Sequence, residues 1–218
     1  MARDLSGASQ YIEGSSGVIS TVANPITMFI RARRNSTTTE GYAGGLGGTS
    51  SSNALIAMRG DVGADPIQAR IARSGNGVVG VNAGTYSSDT WTACTLIVKG
   101  IGATDNESWQ DNTQAVGSNA TVQWSPTFAA NQPLFGRFPD GSGYLIGMIA
   151  SFAIWGAALT AAEIASLVAG FSPRRIRPSA LDVYVPHVRA IQDICGKILS
   201  WTEGGSPGVF EHPRSYGV

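Results

Sequence analysis

Residues 143–170 read GYLIGMIASFAIWGAALTAAEIASLVAG and contain the change of periodicity that decides the fold. Up to Trp155 the run is apolar and uncharged, as expected for a buried strand. Beyond it, apolar residues recur three and four positions apart, at Ile164, Leu167 and Val168. Thr160 and Glu163 have the spacing of a capping box, in which each side chain satisfies a free amide at the start of a helix. The stretch predicts a strand followed by a helix over Ala161–Ala169.

Most of the preceding chain has the two-residue period of strands. In ITMFIRARR (Ile26–Arg34), one apolar face alternates with a face that ends in arginines, which predicts a half-buried strand. The run Asp89–Ile101 is apolar on both faces near its centre, so we place it centrally in a sheet. Three more strands are predicted in ALIAMRG, IQARIARSG and NGVVGVNAG. A hairpin turn is predicted at Asp111–Asn112, and the glycine-rich run NSTTTEGYAGGLGGTSSSN predicts mainly loop.

Composition and charge narrow the class of protein. The 218 residues suit one large domain, or one domain with an extension, and only 14% of them are charged. The formal net charge is zero, which gives no reason to expect binding to nucleic acid or to a membrane. The first residues lack the apolar segment of a signal peptide. Cys94 and Cys195 are far apart in sequence, which favours two buried thiols over a disulfide framework.

The strand and helix of residues 143–170 resemble the last strand and trailing helix of laminin-G-like, concanavalin-A-like domains. The matching positions are Gly147, Ile149, Ile154, Trp155, Ala158, Leu159, Thr160, Glu163 and Ile164. The resemblance covers about residues 3–172, with LSGASQYIEG similar to the first strand of the family, WTACTLIVKG to its central strand and WQDNTQAVG to a hairpin. It implies an all-β fold, a two-sheet antiparallel jelly-roll sandwich with one short C-terminal helix and an extended C-terminal arm.

The composition changes at Pro173, so we divide the chain into a sandwich, 1–172, and a C-terminal arm, 173–218. Residues 172–186 contain three arginines and three prolines, and prolines interrupt sheet ladders. The arm has six basic and four acidic residues, against nine and eleven in the sandwich. Its last part, WTEGGSPGVFEHPRSYGV, is predicted to be irregular. The apolar residues of the arm must dock either on their own sandwich or on a neighbour.

The arm resembles the C-termini of tailed-bacteriophage virion proteins, in its apolar run, its WTEGG turn and its HPRSY ending. With the sandwich, this implies a non-catalytic virion structural protein of the capsid decoration (cement) or fibre type. Such a protein would be assembled in the host cytoplasm, form a homo-oligomer, and contact the major capsid protein or neighbouring copies. The residues expected at the interface are Arg174, Arg175, Arg177, Tyr184 and Trp201, because arginine forks bind carboxylates and large aromatic side chains need burial.

The alternative is a carbohydrate-binding module of a fibre or head surface, used in host or mucus adhesion. Such a site needs an exposed aromatic ring and a few fixed polar groups. The candidate residues near predicted loops are Trp109, Asp111, Asp140 and Tyr144, with Tyr86 and Trp124 near other loops.

A third interpretation is a glycan hydrolase. Asp105, Glu107 and Asp111 share strand parity, and retaining glycosidases use two carboxylates about 5 Å apart. Polar residues intervene and the segment favours a turn, so no catalytic residue is predicted. His187 and His212 do not make a zinc site with two distant cysteines. No cofactor is predicted, although Asp61, Asp65 and Asp140 lie on loops that could supply oxygen ligands to Ca²⁺.

Overall fold

A computed structural model describes residues 2–5, 10–14, 25–35, 40–47, 53–59, 66–72, 78–99, 106–116, 132–137, 143–186, 201–204 and 208–210. In chain order its elements are β1 (Ala2–Asp4), β2 (Tyr11–Gly14), β3 (Ile26–Arg34), β4 (Glu40–Gly47), β5 (Asn53–Arg59), β6 (Pro66–Ala72), β7 (Val78–Thr85), β8 (Trp91–Val98), β9 (Glu107–Gln110), β10 (Thr113–Val116), β11 (Gln132–Phe135), β12 (Gly147–Trp155), α1 (Ala161–Val168), β13 (Leu181–Val185), β14 (Trp201–Gly204) and β15 (Gly208–Phe210).

The strands form two antiparallel sheets, which confirms the predicted all-β sandwich. Within the described residues, sheet A runs β10-β9-β8-β3-β12-β1-β15, with β13 also paired to β12. Sheet B runs β14-β2-β11-β4-β5-β6-β7. The strand predicted over Asp89–Ile101 is β8, which lies between β9 and β3 as expected for a run that is apolar on both faces.

The core lies between the sheets. The inward side chains of β3, which include Met28 and Ile30, are fully buried. The rings of Phe135 from sheet B and Phe152 from sheet A meet edge to face, with centroids 4.7 Å apart. The two-residue alternation seen in the sequence therefore places one face of each sheet in the core.

A second apolar cluster covers half of the outer face of sheet A. Helix α1 buries Ile164 and Leu167 against Phe29 of β3 and Trp155 of β12. The indole Nε1 of Trp155 donates to the carbonyl of Ile176, 2.8 Å away, in the segment after the helix. For this reason β3 is buried on both faces as far as Ile30, whereas the sequence predicted burial on one face only.

The helix begins and ends as the sequence predicts. The amide of Thr160 donates to Glu163 Oε2 at 2.7 Å, and the Thr160 hydroxyl oxygen accepts from the Glu163 amide at 3.4 Å, which completes the capping box. At the other end, Arg31 Nη2 donates to the carbonyl of Val168 at 2.8 Å. A cation there satisfies a free carbonyl and faces the negative end of the helix dipole.

The glycine-rich segment is only partly loop. Residues Glu40–Gly47 form β4, in the interior of sheet B, so the prediction of a loop is wrong there. A Cβ on Gly44 would lie 2.7 Å from Phe135 and 2.9 Å from Ile30, so glycine lets the two sheets approach at this point. The low strand propensity of glycine is overridden by pairing with β5 and β11.

The described parts of residues 173–218 pair with the sandwich of the same chain. β13 pairs with β12, β14 pairs with β2, and β15 pairs with β1, so the segment adds strands to both sheets. The prediction that residues 201–218 are irregular is wrong for β14 and β15, which gain their ladder hydrogen bonds from strands near the N-terminus. The boundary at 172 and an assembly role for 173–218 stay predictions.

Candidate functional site

The outer face of sheet A has a second half, beside the helix, that the apolar cluster does not cover. Here Arg33 of β3 pairs with Trp91 of β8 on one side and with Met148 of β12 on the other. Paired residues of an antiparallel sheet project from the same face, and all three side chains are half-buried. We call this surface the open face and define it by Asp4, Arg31, Arg33, Trp91, Met148 and Ser151.

A short polar turn borders the open face where β8 begins. Residues 87–90, Ser-Ser-Asp-Thr, are all exposed. The Asp89 amide donates to the Arg34 carbonyl at 2.7 Å, and Arg33 Nη2 lies 3.0 Å from Asp89 Oδ1. Asp89 has φ 59°, a left-handed conformation that aspartate tolerates. Its side chain is 61% exposed, so the turn presents a fixed carboxylate to solvent.

Two arginines of β3, Arg31 and Arg34, hold the open face in position. Arg31 is tied to the end of α1, and burial lowers its pKa while the charge of Asp111 opposes that effect. Arg34 projects to the opposite side of β3, into the sandwich. Its Nη1 donates to the hydroxyl of Tyr86 at 2.7 Å, and both side chains are buried. The strand that presents Arg33 is thus anchored on both faces.

This arrangement suits binding better than turnover. The half-buried Trp91 and Met148 provide apolar surface, and Arg33 and Asp89 provide charged hydrogen-bonding groups at fixed positions. Ligand sites generally combine a predominantly apolar lining with a few well-placed polar groups.

Three of the four residues predicted to contact a glycan lie in the described part of the chain, and the prediction itself is not tested by their positions. Trp109 is 7% exposed, packs in the cluster beneath α1 and donates from Nε1 to Glu107 Oε2 at 3.0 Å. Asp111 occupies the hairpin turn, where its Oδ1 accepts from the Ala93 amide at 3.0 Å. Tyr144 is half-buried in the segment that leads into β12, and Asp140 lies outside the described residues.

The acidic residues weighed for catalysis have structural contacts. Glu107 forms an ion pair with Lys99 at 2.6 Å, besides its bond to Trp109. Asp111 holds the turn between β9 and β10, which confirms the predicted hairpin. Asp105 lies outside the described residues.

The calcium and zinc candidates fall largely on parts of the chain that the structure leaves undescribed, namely Asp61, Asp65, Asp140, His187, His212 and Cys195. Among the described residues, no three or more acidic, histidine or cysteine side chains are placed to hold a metal ion.

Cys94 is a free, buried thiol, and its burial raises its pKa. No helix in the described part of the chain is long and apolar enough to cross a membrane.

The three arginines predicted at an interface differ in their surroundings. Arg177 lies over the start of α1, where its Nε and Nη2 reach the two carboxylate oxygens of Glu163 at 2.9 and 2.7 Å. Its Nη1 donates to the Ala158 carbonyl at 2.9 Å. Arg174 and Arg175 are exposed. Arg177 therefore braces its own chain, whereas the other two guanidinium groups face solvent.

The two aromatic interface candidates lie on strands of the sandwich. Tyr184 is half-buried on β13, and its pKa is raised by burial, against the opposing effects of a hydrogen bond with Ser172 and the charge of Arg174. Trp201 begins β14 and pairs with Gly14 of β2. Their roles at an interface stay predictions.

The sequence patterns do not predict the open face. They place Trp91 only in a central strand and Arg33 only on the polar side of β3. The signal was present in the adjacent residues, because SSDTW combines a polar turn with an aromatic residue at the first position of a strand. Recognising it required knowing that α1 covers one half of sheet A and leaves the other open.

No family model matches the chain, and neither does any curated protein sequence. Solved structures do match. A proposed carbohydrate-binding protein from Bacteroides ovatus superposes on 97% of this chain with a TM-score of 0.69 and 15% identity, and the chain spans 60% of that protein. The CBM40 of the Ruminococcus gnavus IT-sialidase gives 0.54 at 11% identity, over 72% of this chain and 93% of that one.

Domains LG4-5 of the mouse laminin α1 chain give a TM-score of 0.50 at 10% identity, over 70% of this chain and 40% of that one. At these identities the likeness concerns the fold alone. The matched structures named here are not virion proteins, so the phage resemblance of the arm stays a prediction. The chain has the jelly-roll sandwich fold of concanavalin-A-like and laminin-G-like domains.

Proposed function

We propose that the chain is a non-catalytic carbohydrate-binding module whose ligand lies on the open face. The observation that carries the proposal is the cross-strand row Trp91–Arg33–Met148, whose side chains are half-buried and are bordered by the exposed carboxylate of Asp89. A sugar ring has apolar C–H faces and a polar rim, so it matches an indole ring beside fixed charged groups. The fold shared with carbohydrate-binding proteins supports this reading over the capsid role.

The proposal does not extend to hydrolysis. The carboxylates of Glu107 and Asp111, the acids weighed for catalysis, contact Lys99, Trp109 and the Ala93 amide rather than a cleft. We therefore expect that incubation of the protein with any glycan it binds releases no reducing ends. Turnover that is lost in Glu107→Gln would contradict the non-catalytic assignment.

The test is a glycan array with the full chain, followed by calorimetric titration with the best ligand. We expect Trp91→Ala to weaken binding at least about tenfold, since aromatic anchors dominate binding energies. The matched control is Val116→Ala on β10, which changes a side chain that is 53% exposed and lies off the open face. Binding unchanged in Trp91→Ala, or an array without any ligand, would refute the proposal.

The virion structural role is the second candidate, and it is a proposal from the resemblance of the arm. One observation favours an assembly function: Arg174 and Arg175 are exposed, although the residues on either side of them, Pro173 and Ile176, are buried. Light scattering after size exclusion tests the predicted homo-oligomer on the full chain. A monomer at all concentrations would contradict self-assembly.

A further inference from the structure

Three large exposed side chains lie within residues 171–175, shortly after helix α1. Phe171 is 51% exposed, which is high for a large apolar residue, and Arg174 and Arg175 are also exposed. Among the residues that the structure describes, neither guanidinium group has a hydrogen bond or an ion pair. We call these three residues the arginine patch.

The backbone under the arginine patch is fixed. The Phe171 amide donates to the Ser166 carbonyl at 3.0 Å, and the Arg175 amide donates to the Ser172 carbonyl at 2.9 Å within a 3₁₀ turn. Pro173 begins that turn and is buried. The carbonyl of Ile176, the residue after Arg175, accepts a hydrogen bond from the indole Nε1 of Trp155. The patch is therefore presented on a segment that needs little ordering to bind, which reduces the entropic cost of association.

The neighbouring Arg177 differs from the two arginines of the patch in its contacts. Arg177 uses its guanidinium group to bind Glu163 and the carbonyl of Ala158. Within the described ranges, Arg174 and Arg175 have no hydrogen bond or ion pair of this kind, although the charge of Arg174 acts on Tyr184. No contact among the described residues requires these two cations, which are exposed three and four positions after the exposed Phe171.

We propose that the arginine patch is a docking site for a protein partner that presents carboxylates around an apolar side chain. A planar guanidinium group binds a carboxylate through two parallel hydrogen bonds, and aromatic residues and arginine are enriched at protein interfaces. The patch is positively charged, although the chain as a whole has no net charge. Charge complementarity therefore favours a partner that presents carboxylates. Two charges alone are too few for the phosphate contacts that give nucleic-acid affinity.

The first test uses fluorescence anisotropy with the full chain and a labelled glutamate-rich peptide that carries a central Leu-Phe pair. We expect binding that weakens with added salt and falls at least about tenfold in the double variant Arg174→Glu/Arg175→Glu. Phe171→Ser should weaken binding of this peptide but not of a control peptide in which serines replace the Leu-Phe pair. Arg174→Lys/Arg175→Lys keeps the charge and should lose only part of the affinity.

Three results would overturn the proposal. The first is unchanged peptide binding in both the charge-reversal variant and Phe171→Ser. The second is a heparin fragment that binds more tightly than the peptide and displaces it, which would indicate an anionic polysaccharide. The third is a dimer in light scattering that dissociates in Phe171→Ser, which would make the patch a contact between copies.

The proposal is separable from glycan binding. Trp91→Ala should keep peptide binding, and the patch variants should keep glycan binding. Failure of the peptide experiment would therefore count against the arginine patch alone, and failure of the glycan experiment against the open face alone. All the altered side chains are wholly or partly exposed, and an unchanged near-ultraviolet circular dichroism spectrum is required of every variant.

Discussion

Replacing Glu163 with glutamine tests how the helix and the segment after it are fastened to the sandwich. The carboxylate accepts from the Thr160 amide at 2.7 Å and from its hydroxyl at 2.9 Å, and it binds two nitrogens of Arg177. Glutamine can still accept from the Thr160 amide, but it loses the negative charge that strengthens the Thr160 hydrogen bonds and faces the positive end of the helix dipole, which costs about 0.5–1 kcal/mol. Loss of the partly exposed bidentate ion pair with Arg177 costs about as much again. We therefore expect Glu163→Gln to lower the free energy of unfolding by about 1–2 kcal/mol.

The effect should depend on pH with a defined sign. Burial raises the pKa of Glu163, but hydrogen bonds from Thr160 and the hydrogen bond and charge of Arg177 outweigh it, so the pKa lies below the ordinary value of a glutamate. A lowered pKa in the folded state means that the ionised carboxylate stabilises the fold. That stabilisation is complete above the ordinary pKa and is lost as the pH falls through the lowered one. The difference in free energy of unfolding between wild type and Glu163→Gln should therefore disappear as the pH falls through the lowered pKa.

The assay is thermal unfolding followed by circular dichroism from pH 7 down to the acid limit of the fold. For a chain of this size, 1–2 kcal/mol corresponds to a decrease in Tm of about 2–8 °C near neutral pH. Asp89→Asn is the matched control, because it removes a carboxylate from an exposed ion pair at a left-handed position that asparagine also adopts. Equal losses in both variants, or a Glu163→Gln effect independent of pH, would refute the reasoning.

Three further predictions concern buried residues. Gly44→Ala should lower the free energy of unfolding by about 1–3 kcal/mol in chemical denaturation, because its Cβ would lie 2.7 Å from Phe135; an unchanged midpoint would show that the sheets can separate locally. Trp155→Phe should cost about 2 kcal/mol or more through a lost indole hydrogen bond and a cavity, whereas a cost near zero would mean that the outer cluster repacks. In a Cys195→Ser background, Cys94 should react with a thiol reagent only after unfolding, because burial raises its pKa, and rapid labelling of the native protein would contradict its position.

The sequence predicted those elements whose signal is local. The capping box of Thr160 and Glu163 fixes where α1 begins through groups three residues apart, and the hairpin at Asp111 depends on a single turn. The alternation in β3 identified its core face because a strand has a period of two. In each case the residues that decide the structure are neighbours in the chain.

The elements that the sequence missed depend on distant partners. Strand β4 is rich in glycine, and its strand state follows from β5 and β11 on either side. Strand β15 near the C-terminus pairs with β1 near the N-terminus, which no window of sequence displays. The open face was missed for the same reason, since Trp91 and Met148 meet only through Arg33 of a third strand.

The pairing of the C-terminal strands changes how an assembly role can be tested. Deleting residues 173–218 would remove β13, β14 and β15 and expose the backbone edges of β12, β2 and β1. Such edges pair readily with other chains, so a truncated protein could aggregate or unfold whatever the segment does in assembly. Point changes at Arg174 and Arg175 leave every strand in place. A loss of partner binding in those variants therefore reports on the surface itself, which a deletion cannot do.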